Sequence, residues 1–179
     1  MKGVIFTSFL DMVEEKFSYE TVDTIINNSD LPSGGAYTAV GTYSHHEIVT
    51  LVVALSKHTQ VPVPDLLHTY GKYLFSILGK AYGHWITAVP SALDLLEKID
   101  NYIHVEVRKL YPDAELPRFE TTRLSPHHVR MIYHSDRRMS ALAVGLIEGA
   151  FEYYGEKCLI ETQLLEADGS NVQFDIQKI

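Results

Sequence analysis

The spacing of the apolar residues changes near position 129, and this change limits the folds open to the chain more than any other feature. Before this position, apolar residues recur at steps of three and four, which is typical of helices with one buried face. After it, they alternate with polar residues, which is typical of a strand with one buried face. The helical steps are clearest at Leu67, Tyr70, Leu74 and Leu78, and the alternation is clearest at Val129, Met131 and Tyr133.

These periods predict an α+β fold, in which an α-rich N-terminal part precedes a small antiparallel sheet interrupted by one helix. Ser91 can cap one helix, and Pro112 ends it. Asp168-Gly169 is a hairpin signal between the last two strands. The predicted helices cover residues 2–17 and 44–58, a stretch from Pro64 through Leu78, a stretch from Ser91 to Pro112, and residues 139–154; the predicted strands cover 129–137, 157–165 and 172–176.

Size and charge exclude several classes of protein. The 179 residues suffice for one domain with a complete core, and the net charge of −8 argues against a nucleic acid as partner. No apolar run approaches the roughly 20 residues that a membrane helix needs. Asp11 and Glu14 do not suit a secretory signal, and a single cysteine, Cys158, cannot form an internal disulfide. We therefore expect a cytoplasmic protein without a membrane or nucleic-acid partner.

The segment Tyr133-His134-Ser135-Asp136-Arg137 carries the clearest chemical pattern. On a strand, positions 133, 135 and 137 point the same way, in a row about 13 Å long at most. Their phenol, hydroxyl and guanidinium groups all donate hydrogen bonds, and an arginine can hold a carboxylate with two parallel bonds. Such a row suits a ligand with two carboxylates, such as the propionates of haem. A solvated edge strand with a chance alternation of polar residues would give the same pattern.

His104 lies at the edge of the apolar stripe of its predicted helix, with Asp100 on the same side. A neutral ring nitrogen at this position could bind a metal ion, although such a residue is more often a half-buried histidine without any ligand. The adjacent pairs His45-His46 and His127-His128 cannot face one metal from a helix or a strand. The chain contains no H-E-x-x-H, C-x-x-C or phosphate-loop motif, and no credible Ser/His/Asp set.

Taken in order along the chain, these features resemble the H-NOX (haem nitric oxide/oxygen binding) family. The segment Tyr133-x-Ser135-x-Arg137 resembles the family's Y-x-S-x-R motif, which binds the haem propionates. His104 lies where the family has its proximal iron ligand, and Pro117 resembles the proline that presses on the haem face. Residues 1–6 and 70–75 also look like family sequence, so the resemblance spans essentially the whole chain.

The resemblance implies a single domain over residues 1–179, with a helical N-terminal subdomain at about 1–65 and a haem-anchoring subdomain at about 66–179. The second subdomain would contain a four-stranded antiparallel sheet with flanking helices, and non-covalent haem b would lie between the two. The absence of a C-x-x-C-H motif agrees with non-covalent binding. The resemblance further implies a stand-alone bacterial sensor without enzymatic activity, related to the haem domain of soluble guanylate cyclase. Its output would be a separate histidine kinase or cyclic-di-GMP enzyme.

The identity of the gas depends on the wall of the distal pocket. Bound oxygen carries partial negative charge and needs a hydrogen-bond donor, whereas nitric oxide needs far less of such help. Family members that hold oxygen have a tyrosine on the helix after the Y-x-S-x-R segment, and residues 139–147 contain none. We therefore predict a ferrous nitric oxide sensor that does not hold oxygen stably, although carbon monoxide would also bind. The predicted distal wall consists of Ile5, Phe9, Leu74, Leu142 and Leu146.

In the mechanism that the resemblance implies, nitric oxide releases the bond between iron and His104. The haem, strained by Pro117, then relaxes, and a shift of the subdomains regulates the partner. Three alternatives remain. A hydroxyl from Tyr73 or Tyr70 would favour an oxygen or carbon monoxide sensor. A haem enzyme such as a peroxidase would need a distal acid/base pair, which the apolar wall does not offer. An interaction domain that has lost its cofactor is the third.

Overall fold

The computed structural model describes residues 1–179 and has the α+β architecture that the sequence predicts. Its helices are α1 (Val4–Lys16), α2 (Tyr19–Asn27), α3 (His45–Thr59), α4 (Val63–Ala81), α5 (Gly83–Ile86), α6 (Ala92–Lys98), α7 (His104–Leu110) and α8 (Ser140–Tyr153), with a π-helical segment at Ile99–Ile103. Its strands are β1 (Arg118–Ser125), β2 (His128–His134), β3 (Cys158–Leu164) and β4 (Asn171–Lys178). None of the helices combines the length and the apolar surface that crossing a membrane requires.

The first of two apolar cores is built from α1, α2, α3 and the N-terminal half of α4. Ser18 caps α2 by accepting a hydrogen bond from the N–H of Thr21, which fixes where that helix begins. From α4, Leu66, Tyr70 and Leu74 belong to this core. The N-terminal core therefore continues beyond residue 65, the approximate end of the N-terminal subdomain that the resemblance implies.

The second core lies under the sheet, whose strands are all antiparallel in the order β1-β2-β4-β3. The inward side chains of the two central strands alternate as predicted and have almost no exposed surface. Helices α6 and α8 contribute the other side of this core. The fully buried or nearly buried strand residues are Val129, Met131, Tyr133, Val172, Phe174 and Ile176.

Helices α4 and α8 pack side by side and connect the two cores. Their backbones approach closely at Gly71 and Gly145, because neither residue has a Cβ. A Cβ on Gly145 would lie 2.1 Å from the carbonyl oxygen of His68. The close approach of these two helices holds the two halves of the molecule together.

Several local features differ from the sequence prediction. Strand β2 ends at His134, so that Ser135 and Arg137 lie in the turn after it and not on the strand. The single helix predicted from Ser91 to Pro112 is divided by the π-helical segment into α6 and α7, although the cap at Ser91 is confirmed by its hydrogen bond from the N–H of Asp94. Helices α2 and α5 and strand β1 also fall outside the predicted elements.

Candidate functional site

A cavity of about 310 Å³ is lined by residues of both apolar cores. This volume is in the range of sites for small molecules and cofactors. Of its 32 lining residues, 26 are hydrophobic, so a ligand meets polar groups at only a few points. Nine of the ten residues predicted for the site line this cavity: Ile5, Leu74, His104, Pro117, Tyr133, Ser135, Arg137, Leu142 and Leu146.

His104 is the first residue of α7 and is only 8% exposed. Its Nδ1 lies 3.2 Å from Oδ1 of Asp100, whereas its Nε2 has no hydrogen-bond partner in the protein. Burial lowers the pKa of the imidazole below its ordinary value, and the hydrogen bond and charge of Asp100 oppose this shift only in part. The ring is therefore neutral near pH 7, with its proton on Nδ1, and the lone pair of Nε2 is available to a metal ion.

Asp100 and Phe119 complete the surroundings of His104, and neither is among the predicted site residues. The same oxygen of Asp100 also accepts a hydrogen bond from the backbone N–H of Phe119, at 3.3 Å. The ring of Phe119 lies 6.0 Å from the ring of His104 and 5.7 Å from the ring of Tyr133. The position of Asp100, four residues before His104, is a sequence signal for the first contact. No local pattern indicates the role of Phe119.

The three polar groups predicted to bind carboxylates come from the end of β2 and from the turn after it. Tyr133 Oη accepts a hydrogen bond from the N–H of Met139 (3.1 Å), and Ser135 Oγ accepts one from the N–H of Arg137 (3.2 Å). Each hydroxyl therefore keeps its own proton for a further acceptor. Arg138, with a left-handed φ of 56°, reverses the chain here, so that positions 135 and 137 line the cavity without belonging to a strand.

The side chain of Arg137 is 14% exposed and pairs with the carboxylate of Glu115 at 2.9 Å. Glu115 is 76% exposed, so it can turn into solvent while the arginine stays in place. The hydrogen bond and charge of Arg137 lower the pKa of the Glu115 carboxyl. Arg137 can therefore exchange Glu115 for a carboxylate on a ligand in the cavity.

Pro117 lies in the loop between α7 and β1, and this loop is tied to the N-terminal part of the chain. Asp113 accepts a hydrogen bond from Thr42 Oγ1 at 2.7 Å and pairs with Lys2 Nζ at 3.0 Å. The hydrogen bonds from Thr42 and Lys2 lower the pKa of Asp113 to about 2. These contacts connect the part of the cavity that carries Pro117 with the residues just before α1.

The predicted distal wall is apolar, but Phe9 does not belong to it. Phe9 is wholly buried and packs edge-on against Tyr70, with ring centroids 5.3 Å apart. It lies one turn further along α1 than Ile5 and is part of the N-terminal core. Its assignment to the pocket is therefore corrected, because the cavity ends at the level of Ile5.

Neither of the two tyrosines considered as donors, Tyr70 and Tyr73, lines the cavity. The hydroxyl of Tyr70 donates to the carbonyl oxygen of Ile5 at 2.5 Å, and Tyr73 packs against the N-terminal core. Two other tyrosines, Tyr82 and Tyr111, do line the cavity, with their hydroxyl oxygens 3.5 Å apart. The phenolic donors present in the cavity, apart from Tyr133, thus differ from those that the sequence suggests.

A family model described as haem-NO-binding matches residues 2–162 of the chain. An H-NOX protein from K. algicida, solved in the unliganded Fe(II) state, is 42% identical, with a TM-score of 0.96 over 100% of this chain and 97% of that one. An H-NOX protein from Shewanella woodyi, solved in the Fe(II)CO state, is 40% identical, with a TM-score of 0.85 over 100% of this chain and 95% of that one.

A more distant likeness extends the comparison of folds. An H-NOX protein from S. oneidensis in the Fe(II)NO state is 24% identical, with a TM-score of 0.92 over 100% of this chain and 99% of that one. At this identity the likeness shows the fold alone. Among curated protein sequences, no match is found.

Proposed function

Because the chain belongs to the haem-NO-binding (H-NOX) family, whose members are haem-binding gas sensors, we propose that it is a ferrous haem sensor of nitric oxide. The observation that carries this proposal is the composition of the cavity. It combines the neutral, buried imidazole of His104 with a few carboxylate-binding donors and an otherwise apolar lining.

The residues of the cavity fit haem b held without a covalent bond. His104 Nε2 is free to bind the iron, and Tyr133, Ser135 and Arg137 can donate hydrogen bonds to the two propionates. The apolar lining suits the faces of the porphyrin, one of which would meet Pro117. When bound, the haem supplies a ferrous iron that takes up a diatomic gas.

The preference for nitric oxide follows from the donors that are missing from the predicted distal wall. Ile5, Leu74, Leu142 and Leu146 offer no hydrogen bond to a bound gas, and the hydroxyl of Tyr70 is already committed to a backbone carbonyl. Oxygen depends on a distal donor, whereas nitric oxide and carbon monoxide depend on it much less. This wall therefore favours nitric oxide, with carbon monoxide as a second ligand.

The signal would begin at His104 and end at a separate protein. If His104 were released from a bound haem, its ring and the Pro117 loop could change position, and this loop is bonded to the N-terminal part through Asp113. A partner that binds the two forms with different affinity is then regulated. We propose a histidine kinase or a cyclic-di-GMP enzyme as this partner, in the cytoplasm, with no catalytic activity in the chain itself.

One observation supports a second candidate, an oxygen sensor. The hydroxyls of Tyr82 and Tyr111 line the cavity, and either one could donate to bound oxygen if it turned from its neighbour. This alternative predicts a spectrum that changes stably in air, and a loss of this property in either Tyr82→Phe or Tyr111→Phe. The proposed nitric oxide sensor predicts that neither occurs.

The proposal is tested by absorption spectra of the ferrous protein without oxygen, then in air, then with nitric oxide. We expect a five-coordinate spectrum that air leaves unshifted and a five-coordinate nitric oxide complex, in which His104 is no longer bound. His104→Gly, supplied with imidazole as a loose ligand, should act on the partner as nitric oxide does. A protein that binds no haem would refute the sensor, and a partner that ignores His104→Gly would refute the release of His104 as the signal.

A further inference from the structure

We propose that Asp100 is a positioning residue for His104: it fixes the orientation of the imidazole, strengthens the bond from Nε2 to the haem iron, and so limits how readily nitric oxide releases that bond. The inference deepens the proposed function and rests on one part of it, the ligation of haem iron by His104. Asp100 itself would touch neither the haem nor the gas.

The first argument concerns the proton on the imidazole. Oδ1 of Asp100 lies 3.2 Å from Nδ1 of His104, and a carboxylate can only accept a hydrogen bond. The proton therefore lies on Nδ1, and Nε2 presents its lone pair. Without Asp100, the neutral ring could also carry its proton on Nε2, the nitrogen that has to bind the iron. The carboxylate removes this unproductive tautomer.

Asp100 and His104 are four residues apart, which places their side chains on the same side of the chain, at a π-helical segment. The backbone N–H of His104 bonds to the carbonyl oxygen of Ile99, five residues earlier, as in a π turn. Asp100 lies within this wider turn, and His104 is the first residue after it. Single π turns of this kind are frequent at functional sites. The contact itself follows from the spacing of four residues, since side chains four apart also meet on an ordinary α-helix.

The carboxylate is in turn held by the sheet. The same Oδ1 accepts a hydrogen bond from the backbone N–H of Phe119, the second residue of β1. Phe119 pairs with Tyr133 of β2. The backbone of β1, two residues beyond Pro117, therefore holds the Asp100 carboxylate in place. A carboxylate held in this way cannot rotate freely with the imidazole. A rotation of His104 away from the iron has to bend or break the hydrogen bond between its Nδ1 and Asp100, and this opposes the release.

The charge of Asp100 supplies the second effect. A carboxylate that accepts a hydrogen bond from Nδ1 makes the imidazole a more basic ligand. Losing such a partner typically lowers metal affinity or activity by about 10- to 100-fold. Asp100→Asn keeps an acceptor for His104 and for Phe119 but removes the negative charge. Asp100→Ala removes both, so the two variants separate the effect of charge from that of orientation.

The experiment uses the full-length, haem-loaded protein and a matched control. Glu106→Gln removes a carboxylate two residues after His104, where Glu106 pairs with Lys109 at 2.6 Å and does not contact the imidazole. The main readout is the vibrational band of the iron–histidine bond in the unliganded ferrous protein, measured by resonance Raman spectroscopy. A general loss of packing would not weaken this bond. The second readout is the rate of haem transfer to an acceptor protein.

We expect the band to move to lower frequency in Asp100→Asn, to move further in Asp100→Ala, and to stay in place in Glu106→Gln. Haem transfer should be about tenfold faster or more in Asp100→Ala. An unchanged band in both Asp100 variants, or an equal shift in Glu106→Gln, would overturn the proposal. If Asp100→Ala does not fold, Asp100→Asn decides, because it retains the acceptor for Phe119.

The proposed function can fail independently of this inference. A wild type in which nitric oxide leaves His104 bound would refute the release mechanism, while a shifted band in Asp100→Asn would still support the role of Asp100. Normal release by nitric oxide, together with an unchanged band in the Asp100 variants, would refute the role of Asp100 alone.

Discussion

Replacing Gly145 by alanine tests how α4 and α8 hold the two halves of the cavity together. A Cβ at position 145 would lie 2.1 Å from the carbonyl oxygen of His68 and 3.0 Å from Cα of Gly71. Real Cβ atoms essentially never approach another heavy atom closer than 3.0 Å, so the backbones have to separate by about 0.9 Å. Because the nearest atoms belong to the backbone of α4, no side chain can rotate to make room.

The magnitude follows from two opposing effects. Alanine favours a helix over glycine by about 1 kcal/mol. Overpacking typically costs about 1–3 kcal/mol, and occasionally more. At the upper end of this range, which a contact with backbone warrants, the net loss of folding free energy is about 2 kcal/mol. For a domain of this size, that loss lowers Tm by about 4–8 °C.

The assay is thermal unfolding of the haem-loaded variant, with Gly83→Ala as the control. A Cβ on Gly83, in α5, has no other atom within 4 Å, so this variant adds the same methyl group in open space. We expect Gly83→Ala to melt at or slightly above the wild-type temperature. A Gly145→Ala variant that melts within about 1 °C of the wild type would refute the reasoning, because the backbones would then have room for a methyl group.

Three further predictions concern the cavity and its rim. Arg137→Ala should weaken haem binding about 10- to 100-fold, because hydrogen bonds to charged groups contribute about 1.5–3 kcal/mol; haem-transfer rates measure this, and an unchanged rate would contradict it. Leu142→Tyr should slow oxygen loss about tenfold or more in stopped-flow experiments, since its hydroxyl can donate to the bound gas. No effect would mean that position 142 does not face the gas. The pKa of Asp113 is about 2 against an ordinary value of 3.8, so its stabilising contribution is present above about pH 4 and is lost as the pH falls toward 2. Chemical unfolding should therefore show a smaller loss over this range for Asp113→Asn than for the wild type, and equal losses would argue against this contribution.

The central strands are the part of the sheet that the sequence predicts directly, because burial constrains them most. Val129, Val172 and Ile176 have no exposed surface, so every second position has to be apolar. Strand β1 lies at an edge, and Thr121 and Arg123 occupy positions opposite buried residues of β2. Its polar sequence shows no apolar alternation. An alternating apolar pattern therefore identifies a strand only where one face of that strand is buried.

The ends of the elements depend on contacts between distant segments. The N–H of Ser135 donates to the carbonyl oxygen of Ser170, at 2.9 Å, and Arg138 takes a left-handed conformation. The alternation of polar residues nevertheless continues to Arg137, as it would on a longer strand. Residues 135 and 137 nevertheless line the cavity together with Tyr133, because the turn leaves all three beside it.

The cavity wall marks the limit of what local spacing can predict. Ile5 and Phe9 lie four residues apart on one face of α1, so a helical wheel predicts the same role for both. Only tertiary packing separates them, since Phe9 meets Tyr70 and Ile5 meets the cavity. Likewise, Tyr82 and Tyr111 lie 29 residues apart, yet their hydroxyls are within 3.5 Å. Discrimination between gases depends on which hydrogen-bond donors reach the bound gas, and such tertiary contacts are not visible in local spacing. The absorption spectrum of the ferrous protein in air measures whether a donor reaches the gas.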